Sequence, residues 1–123
     1  MTRLSITSLL LAALSTAAGC KSAGMGAETR ADITAQMKLA EGPIQACYAA
    51  ALKQNRRIKG RISLRLVAEA SSGQFKNIAV LRDEPQAPEI TKCVVTEVGK
   101  LKLSKPTKAS VQIDQPILLM PSN

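Results

Sequence analysis

The sequence contains no histidine and no tryptophan, and it has one tyrosine and one phenylalanine among 123 residues. The absence of histidine removes the commonest general base and metal ligand. Serine and threonine hydroxyls therefore have no imidazole to activate them. The adjacent carboxylates Asp83 and Glu84 precede two prolines, a pattern typical of a solvated loop. With no glycine-rich phosphate loop and no metal-ligand spacing either, we expect no enzymatic activity and no cofactor.

The scarcity of aromatic residues also limits the core. A chain of this length forms one domain, and its core must be built from aliphatic side chains, which gives a small domain little stability to spare. Charge is unbalanced as well: 17 Lys and Arg face 9 Asp and Glu, a net charge of +8. A basic balance favours anionic partners and says nothing about the fold.

Residues 1–19 have the pattern of an export signal. Arg3 precedes an apolar run, 9–14, that is too short to span a bilayer. The stretch Ala17-Ala18-Gly19-Cys20 resembles a bacterial lipobox, which implies that Cys20 becomes the lipidated (palmitate-bearing) first residue of an envelope lipoprotein. Lys21 in place of Asp favours the outer membrane, facing the periplasm. The alternative is an ordinary secretory signal and a soluble periplasmic or secreted protein.

The mature chain divides into a Gly-rich flexible tether, 20–28, and a folded domain, 29–123. A helical pattern begins near Thr29, with Asp32 as its capping partner, and Gly42-Pro43 is expected to break or restart the helix. A second helix is predicted from Pro88, with Ile90, Val94 and Val98 on one face.

Strict alternation from Arg61 to Glu69 predicts a half-buried strand, and Ser71-Ser72-Gly73 a turn into a second strand, 75–81. The second strand alternates imperfectly, which indicates a bulge or two covered faces. A third strand begins at Val111, and Pro116 within it indicates an edge strand or a bulge.

The interior cysteines Cys47 and Cys93 each lie on the apolar stripe of a predicted helix. In an exported protein such a pair is expected to oxidise, and closing a loop of this length is worth about 4 kcal/mol. The alternative is two buried, unpaired thiols. A redox-active pair is not expected, because the sequence has no Cys-x-x-Cys motif.

Five segments of the chain form a pattern when taken together: Ile44-Gln45-Ala46-Cys47-Tyr48, Lys59-Gly60-Arg61-Ile62, Gly73-Gln74-Phe75, Ile90 with Cys93-Val94, and Pro116. This pattern resembles the AgmX/PglI C-terminal domain family, which is itself similar to the TonB C-terminal fold. The resemblance covers about residues 30–120, although the stretch 102–106 lacks the aromatic-Pro step usual in the family. It implies a small α+β domain with two main helices packed on a three-stranded antiparallel sheet, acting as a non-catalytic protein-interaction module of the periplasm, in some members linked to envelope or motility complexes.

Basic residues cluster near the first strand and are candidate contacts with an anionic surface: Arg56, Arg57, Lys59, Arg61 and Arg65. The simpler interpretation is that they are solubilising charges. Export and the lack of aromatic stacking partners argue against nucleic acid. We expect an unidentified envelope protein as partner, bound by strand addition at a sheet edge. The alternative is a structural lipoprotein that holds anionic lipid or glycan through its basic face.

Overall fold

The computed structural model describes residues 25–121; the expected signal peptide and Cys20 lie outside them. The elements in chain order are α1 (Ala27–Gln54), β1 (Gly60–Ala68), β2 (Phe75–Asp83), α2 (Pro88–Val98) and β3 (Val111–Leu119). The sheet is antiparallel with strand order β2-β1-β3, and both helices pack on one face of it. The expected α+β architecture, two helices on a three-stranded sheet, is confirmed.

The central strand β1 supplies the middle of the core. Its alternation is confirmed, because every second side chain is fully buried while Arg61 and Arg65 are exposed. Both aromatic residues, Tyr48 and Phe75, are also buried. The remaining core is aliphatic, as the composition requires. The fully buried β1 residues are Ile62, Leu64, Leu66 and Ala68.

The expected break at Gly42-Pro43 is wrong, because α1 runs without interruption for 28 residues. Proline removes the hydrogen bond to the carbonyl four residues earlier, which here belongs to Leu39. Both Pro43 and Leu39 are exposed, so that carbonyl lies on the outer side of the helix, where water can bind it. The buried residues on the opposite side, including Ala40 and Ile44, hold the helix together across the proline.

The start of α1 also differs from the expected capping pair. Gly26 is the N-cap and no side chain caps the helix. The helix begins at Ala27, within the segment assigned to the tether, and Met25 packs against the core. Asp32 is buried and bonds instead to the loop between α2 and β3.

The two outer strands are irregular in different ways. The β1–β2 pairing shifts register twice, after Ser63 and after Arg65, and Asn77 has a positive φ of 53°. These bulges explain the imperfect alternation of β2. The β1–β3 register is unbroken, and Pro116 is tolerated because β3 is an edge strand whose proline nitrogen can face outward.

A disulfide joins Cys47 of α1 to Cys93 of α2, with 5.9 Å between their Cα atoms. It links the pair of cysteines that the sequence predicts. Because α1 leads into β1 and α2 follows β2, both helices join the open end of the β1–β2 hairpin, and the bond ties them together there.

Candidate functional site

Of the five basic residues expected to contact an anionic surface, Arg61 and Arg65 share the exposed face of β1, and Arg65 differs from the other four in having a carboxylate partner within residues 25–121. Arg65 lies on the outer face of the sheet, where its Nε and a second guanidinium nitrogen donate to Asp114 on β3 at 2.7 and 2.8 Å. Hydrogen bonding to Arg65 lowers the pKa of the Asp114 carboxyl. Arg65 is thus already paired with a carboxylate.

The other four residues, with Lys53, crowd one end of the molecule. We call this group the cationic end; it comprises Lys53, Arg56, Arg57, Lys59 and Arg61, all of them exposed. Within residues 25–121, none of the five has a salt bridge to a carboxylate. The neighbouring segments 53–61 and 117–121 contain no Asp or Glu.

The turn that carries the cationic end is held from inside the core. The buried hydroxyl of Tyr48 donates a hydrogen bond to the Ile58 carbonyl, and the Asn55 side chain accepts one from the Arg57 backbone N–H at 3.0 Å. Burial raises the pKa of Tyr48, so the hydroxyl keeps its proton. The turn is therefore fixed in place rather than free.

Gly60 closes this turn in a conformation that requires glycine. Its φ is +133°, and a Cβ there would lie 2.8 Å from the Glu84 Cβ. The close approach lets a Glu84 carboxylate oxygen accept the Arg61 backbone N–H at 2.9 Å, while the other pairs with Arg82 at 2.9 Å. Glu84 does approach the cationic end, but both of its oxygens are engaged.

Two large apolar side chains stand exposed beside these cations. Leu118 is 56% exposed and Met120 is 62% exposed, whereas Leu119 between them is fully buried. Leu118 is paired across the ladder with Arg61, which places both side chains on the same outer face. Sequence reasoning left the faces of the residues after Pro116 unassigned, and alternation counted from buried Ile117 would have separated them.

A groove of about 940 Å³ lies between the C-terminal half of α1 and the N-terminal part of α2. The disulfide lies along it, and exposed small residues such as Ala46 and Ala50 form one wall. Glu89 and Glu97 line the opposite wall. The groove is therefore mainly apolar with acidic residues along one side, and at Gln54, Asn55 and Ile58 it adjoins the turn that carries the cationic end.

The sheet has two outer edges. On β2, Val80 and Leu81 are 41% and 50% exposed, and Leu81 is the extra residue of a bulge. On β3, the row of backbone donors is interrupted at its centre by Pro116. Both edges therefore carry exposed apolar side chains, but β2 contains no proline, so no backbone donor is missing from its edge.

The lysines near the end of α2 form a second basic group far from the cationic end. Lys100 pairs with Glu97 at 2.9 Å and Lys105 with Glu28 at 2.6 Å. The second pair connects this group to the first turn of α1, the opposite end of that helix from Lys53.

Within residues 25–121, no three His, Cys, Asp or Glu side chains come close enough to hold a metal ion. Over the same range, no helix combines the length and the apolar composition needed to cross a membrane.

Comparison with known proteins gives a structural likeness. No family model matches the chain, and no curated protein matches it. The NMR solution structure of the Helicobacter pylori TonB C-terminal domain (residues 179–285) is similar, with 15% sequence identity and a TM-score of 0.43. The match covers 83% of this chain and 99% of that one. The likeness concerns overall architecture, and no residue role is carried over from it.

Proposed function

We propose that this chain is a non-catalytic protein-interaction domain of the bacterial cell envelope, and that it binds an envelope protein by strand addition at the outer edge of β2. The observation that carries the proposal is the exposure of Val80 and Leu81 on an unpaired edge. An exposed apolar edge strand attracts further strands, and proteins that do not use such an edge usually protect it with charge or proline. The β3 edge has that protection in Pro116.

The family resemblance supports the same role. Four of the residues that carry the resemblance have defined structural roles in this chain. Cys47 and Cys93 form the disulfide, and Gly60 and Gly73 both have a positive φ. A Cβ on Gly73 would lie 3.0 Å from the Leu103 Cβ. On this basis we assign the chain to the AgmX/PglI type of domain as a proposal.

Photo-crosslinking from single positions tests the edge. A photoreactive residue at Leu81 should capture one recurrent envelope protein, and Val80→Lys should abolish the capture by placing a charge on the edge. A photoreactive residue at Leu39, which is 69% exposed on α1, is the matched control and should capture nothing specific. Capture from Ala50 in the groove, with none from Leu81, would overturn strand addition and assign the partner to the groove.

We further propose that a lipid on Cys20 anchors the chain to the outer membrane, with the domain in the periplasm. The lipobox-like stretch 17–20 and the neighbouring Lys21 support this. Cells fed an alkyne fatty acid should label the wild-type chain and not Cys20→Ala, and a high-salt wash, which removes electrostatic binding, should release the variant but not wild type from the membrane fraction. An unlabelled wild-type chain recovered in the soluble periplasm would instead support an unanchored protein.

A further inference from the structure

We propose that the cationic end, together with Leu118 and Met120, is a docking surface for an anionic phospholipid bilayer. This surface is separate from the β2 edge, so the inference does not depend on the proposed protein partner. Lipid headgroups would contact the five cations, and the two apolar side chains would enter the boundary between headgroups and acyl chains.

Charge supports this assignment. Five exposed cations lie within nine residues of sequence, and none is neutralised by a carboxylate within residues 25–121. Arg65 and the lysines 100 and 105 show that other cations of the chain do form such pairs. Each Lys or Arg near an anionic membrane surface adds attraction, so a group without internal partners favours that surface.

Leu118 and Met120 add an apolar contact to the electrostatic attraction of the cations. Leu118 lies on the same outer face as Arg61, Met120 directly follows the end of β3, and both side chains are more than half exposed. Their neighbour Pro121 lines a shallow cavity with Lys53 and Arg56, so the end of β3 adjoins the end of α1. Aliphatic side chains surrounded by Lys and Arg are the composition of interfacial membrane-binding surfaces.

The same residues argue against a polysaccharide at this site. Sugar rings are commonly bound against exposed aromatic faces, and both aromatic side chains of this chain, Tyr48 and Phe75, are buried at 2% exposure. Contact with a hydrated glycan would remove little apolar surface of Leu118 and Met120 from water, whereas entry into a bilayer would remove much of it and so stabilise binding. A bilayer therefore fits the cationic end better than a glycan does.

The turn is also positioned for this role. Tyr48 fixes the Ile58 carbonyl and Gly60 fixes the start of β1, so Arg57, Lys59 and Arg61 project from a rigid support. A rigid set of cations loses less conformational entropy on binding than a mobile one.

The lack of tryptophan provides the test. Met120→Trp in the full chain introduces a single indole at the docking surface, and Leu39→Trp introduces one on an exposed part of α1 away from it. With vesicles of phosphatidylcholine and phosphatidylglycerol, the emission of the Met120→Trp variant should shift to shorter wavelength and be quenched by brominated acyl chains. The emission of the Leu39→Trp variant should stay unchanged. Acylation of Cys20 would bring both variants to the bilayer equally, so the comparison tests the surface and not the anchor.

Charge removal gives the matched control. Adding Arg56→Gln, Arg57→Gln and Lys59→Gln to Met120→Trp should abolish the shift, as should high salt or vesicles of phosphatidylcholine alone. Adding Arg30→Gln, Lys102→Gln and Lys108→Gln to Met120→Trp instead removes the same number of positive charges away from the cationic end. This set should leave the emission shift intact. The proposal would be overturned by an unshifted Met120→Trp emission, by an equal shift with both sets of added substitutions, or by binding of dextran sulfate but not vesicles.

Discussion

The Asp32 carboxylate accepts a 2.6 Å hydrogen bond from the Ser104 hydroxyl, joining the second turn of α1 to a loop 72 residues later in the chain. Its other oxygen accepts the Lys105 backbone N–H at 2.9 Å. Asp32 is the one charged side chain buried within residues 25–121. It therefore holds the start of α1 to the loop that leads into β3.

Replacing Asp32 with Asn should destabilise the fold by about 2 kcal/mol at neutral pH, because the amide keeps one acceptor oxygen for two donors, the Ser104 hydroxyl and the Lys105 N–H, and loses the negative charge that strengthens both bonds. Urea denaturation of wild type and Asp32→Asn measures the difference. Gln36→Ala is the control, since the Gln36 amide reaches Asp32 only at 3.5 Å and should cost much less. Equal effects of the two substitutions would contradict the role given to Asp32.

The hydrogen bonds that Asp32 accepts predict that the stability of the fold depends on pH. Burial acts to raise the pKa of Asp32, but its hydrogen bonds with Ser104 and Lys105 lower it by more, so the pKa in the folded state lies below its ordinary value of 3.8. The stabilisation is therefore present above the ordinary value and is lost as pH falls through the folded-state pKa. The stability difference between wild type and Asp32→Asn should narrow in acid. A constant difference from neutral pH to full protonation would disprove the linkage.

Loss of the disulfide should cost about 4 kcal/mol, because the bond restricts an unfolded chain in which Cys47 and Cys93 are 46 residues apart. The double variant Cys47→Ala, Cys93→Ala should show the loss in urea denaturation, and wild type treated with reductant should approach it. The variant itself should be insensitive to reductant. If reductant left wild-type stability unchanged, the two thiols would have to be unpaired.

Gly60 and Gly42 make a matched pair of glycine substitutions. Gly60→Ala should destabilise the chain by about 1–3 kcal/mol, because alanine is strained at φ +133° and its Cβ would meet Glu84. Gly42→Ala meets nothing within 4 Å inside α1 and should stabilise it by about 1 kcal/mol. Thermal unfolding of both variants measures the contrast, and changes of the same sign would refute it.

Tyr48→Phe isolates the hydroxyl that holds the basic turn. The ring volume is kept, so only the bond to the Ile58 carbonyl is lost, at a cost of about 1 kcal/mol. Amide hydrogen exchange in the turn, including the Ile58 N–H, should accelerate while that of β1 stays slow. Unchanged exchange in the turn would mean that the hydroxyl does not hold it.

Local patterns were enough to predict most of the fold. The strict alternation of β1 and the spacing of Ile90, Val94 and Val98 in α2 depend on burial of one face, which sequence period reports directly. The pairing of Cys47 with Cys93 followed from their positions on two apolar stripes.

What sequence reasoning missed depends on contacts between distant segments. The partners of Asp32 lie on another element, so its local neighbours indicate only a helix cap. The continuity of α1 depends on Pro43 facing away from the core, and the exposure of Leu118 depends on the register with β1. Among the five basic candidates, the ion pair of Arg65 with Asp114 was not foreseen either, because Asp114 lies 49 residues away on another strand.

The uninterrupted α1 sets a distance between the chain's membrane anchor, if Cys20 is one, and its cationic end. Twenty-eight helical residues extend about 42 Å, and the few residues from Cys20 to Gly26 can reach about 20 Å when extended. A chain anchored at Cys20 could therefore bring Arg56 and Met120 to the same bilayer only with α1 at a shallow angle to the membrane plane, about 30° at most. With α1 upright, the same residues would face a second surface on the far side of the domain.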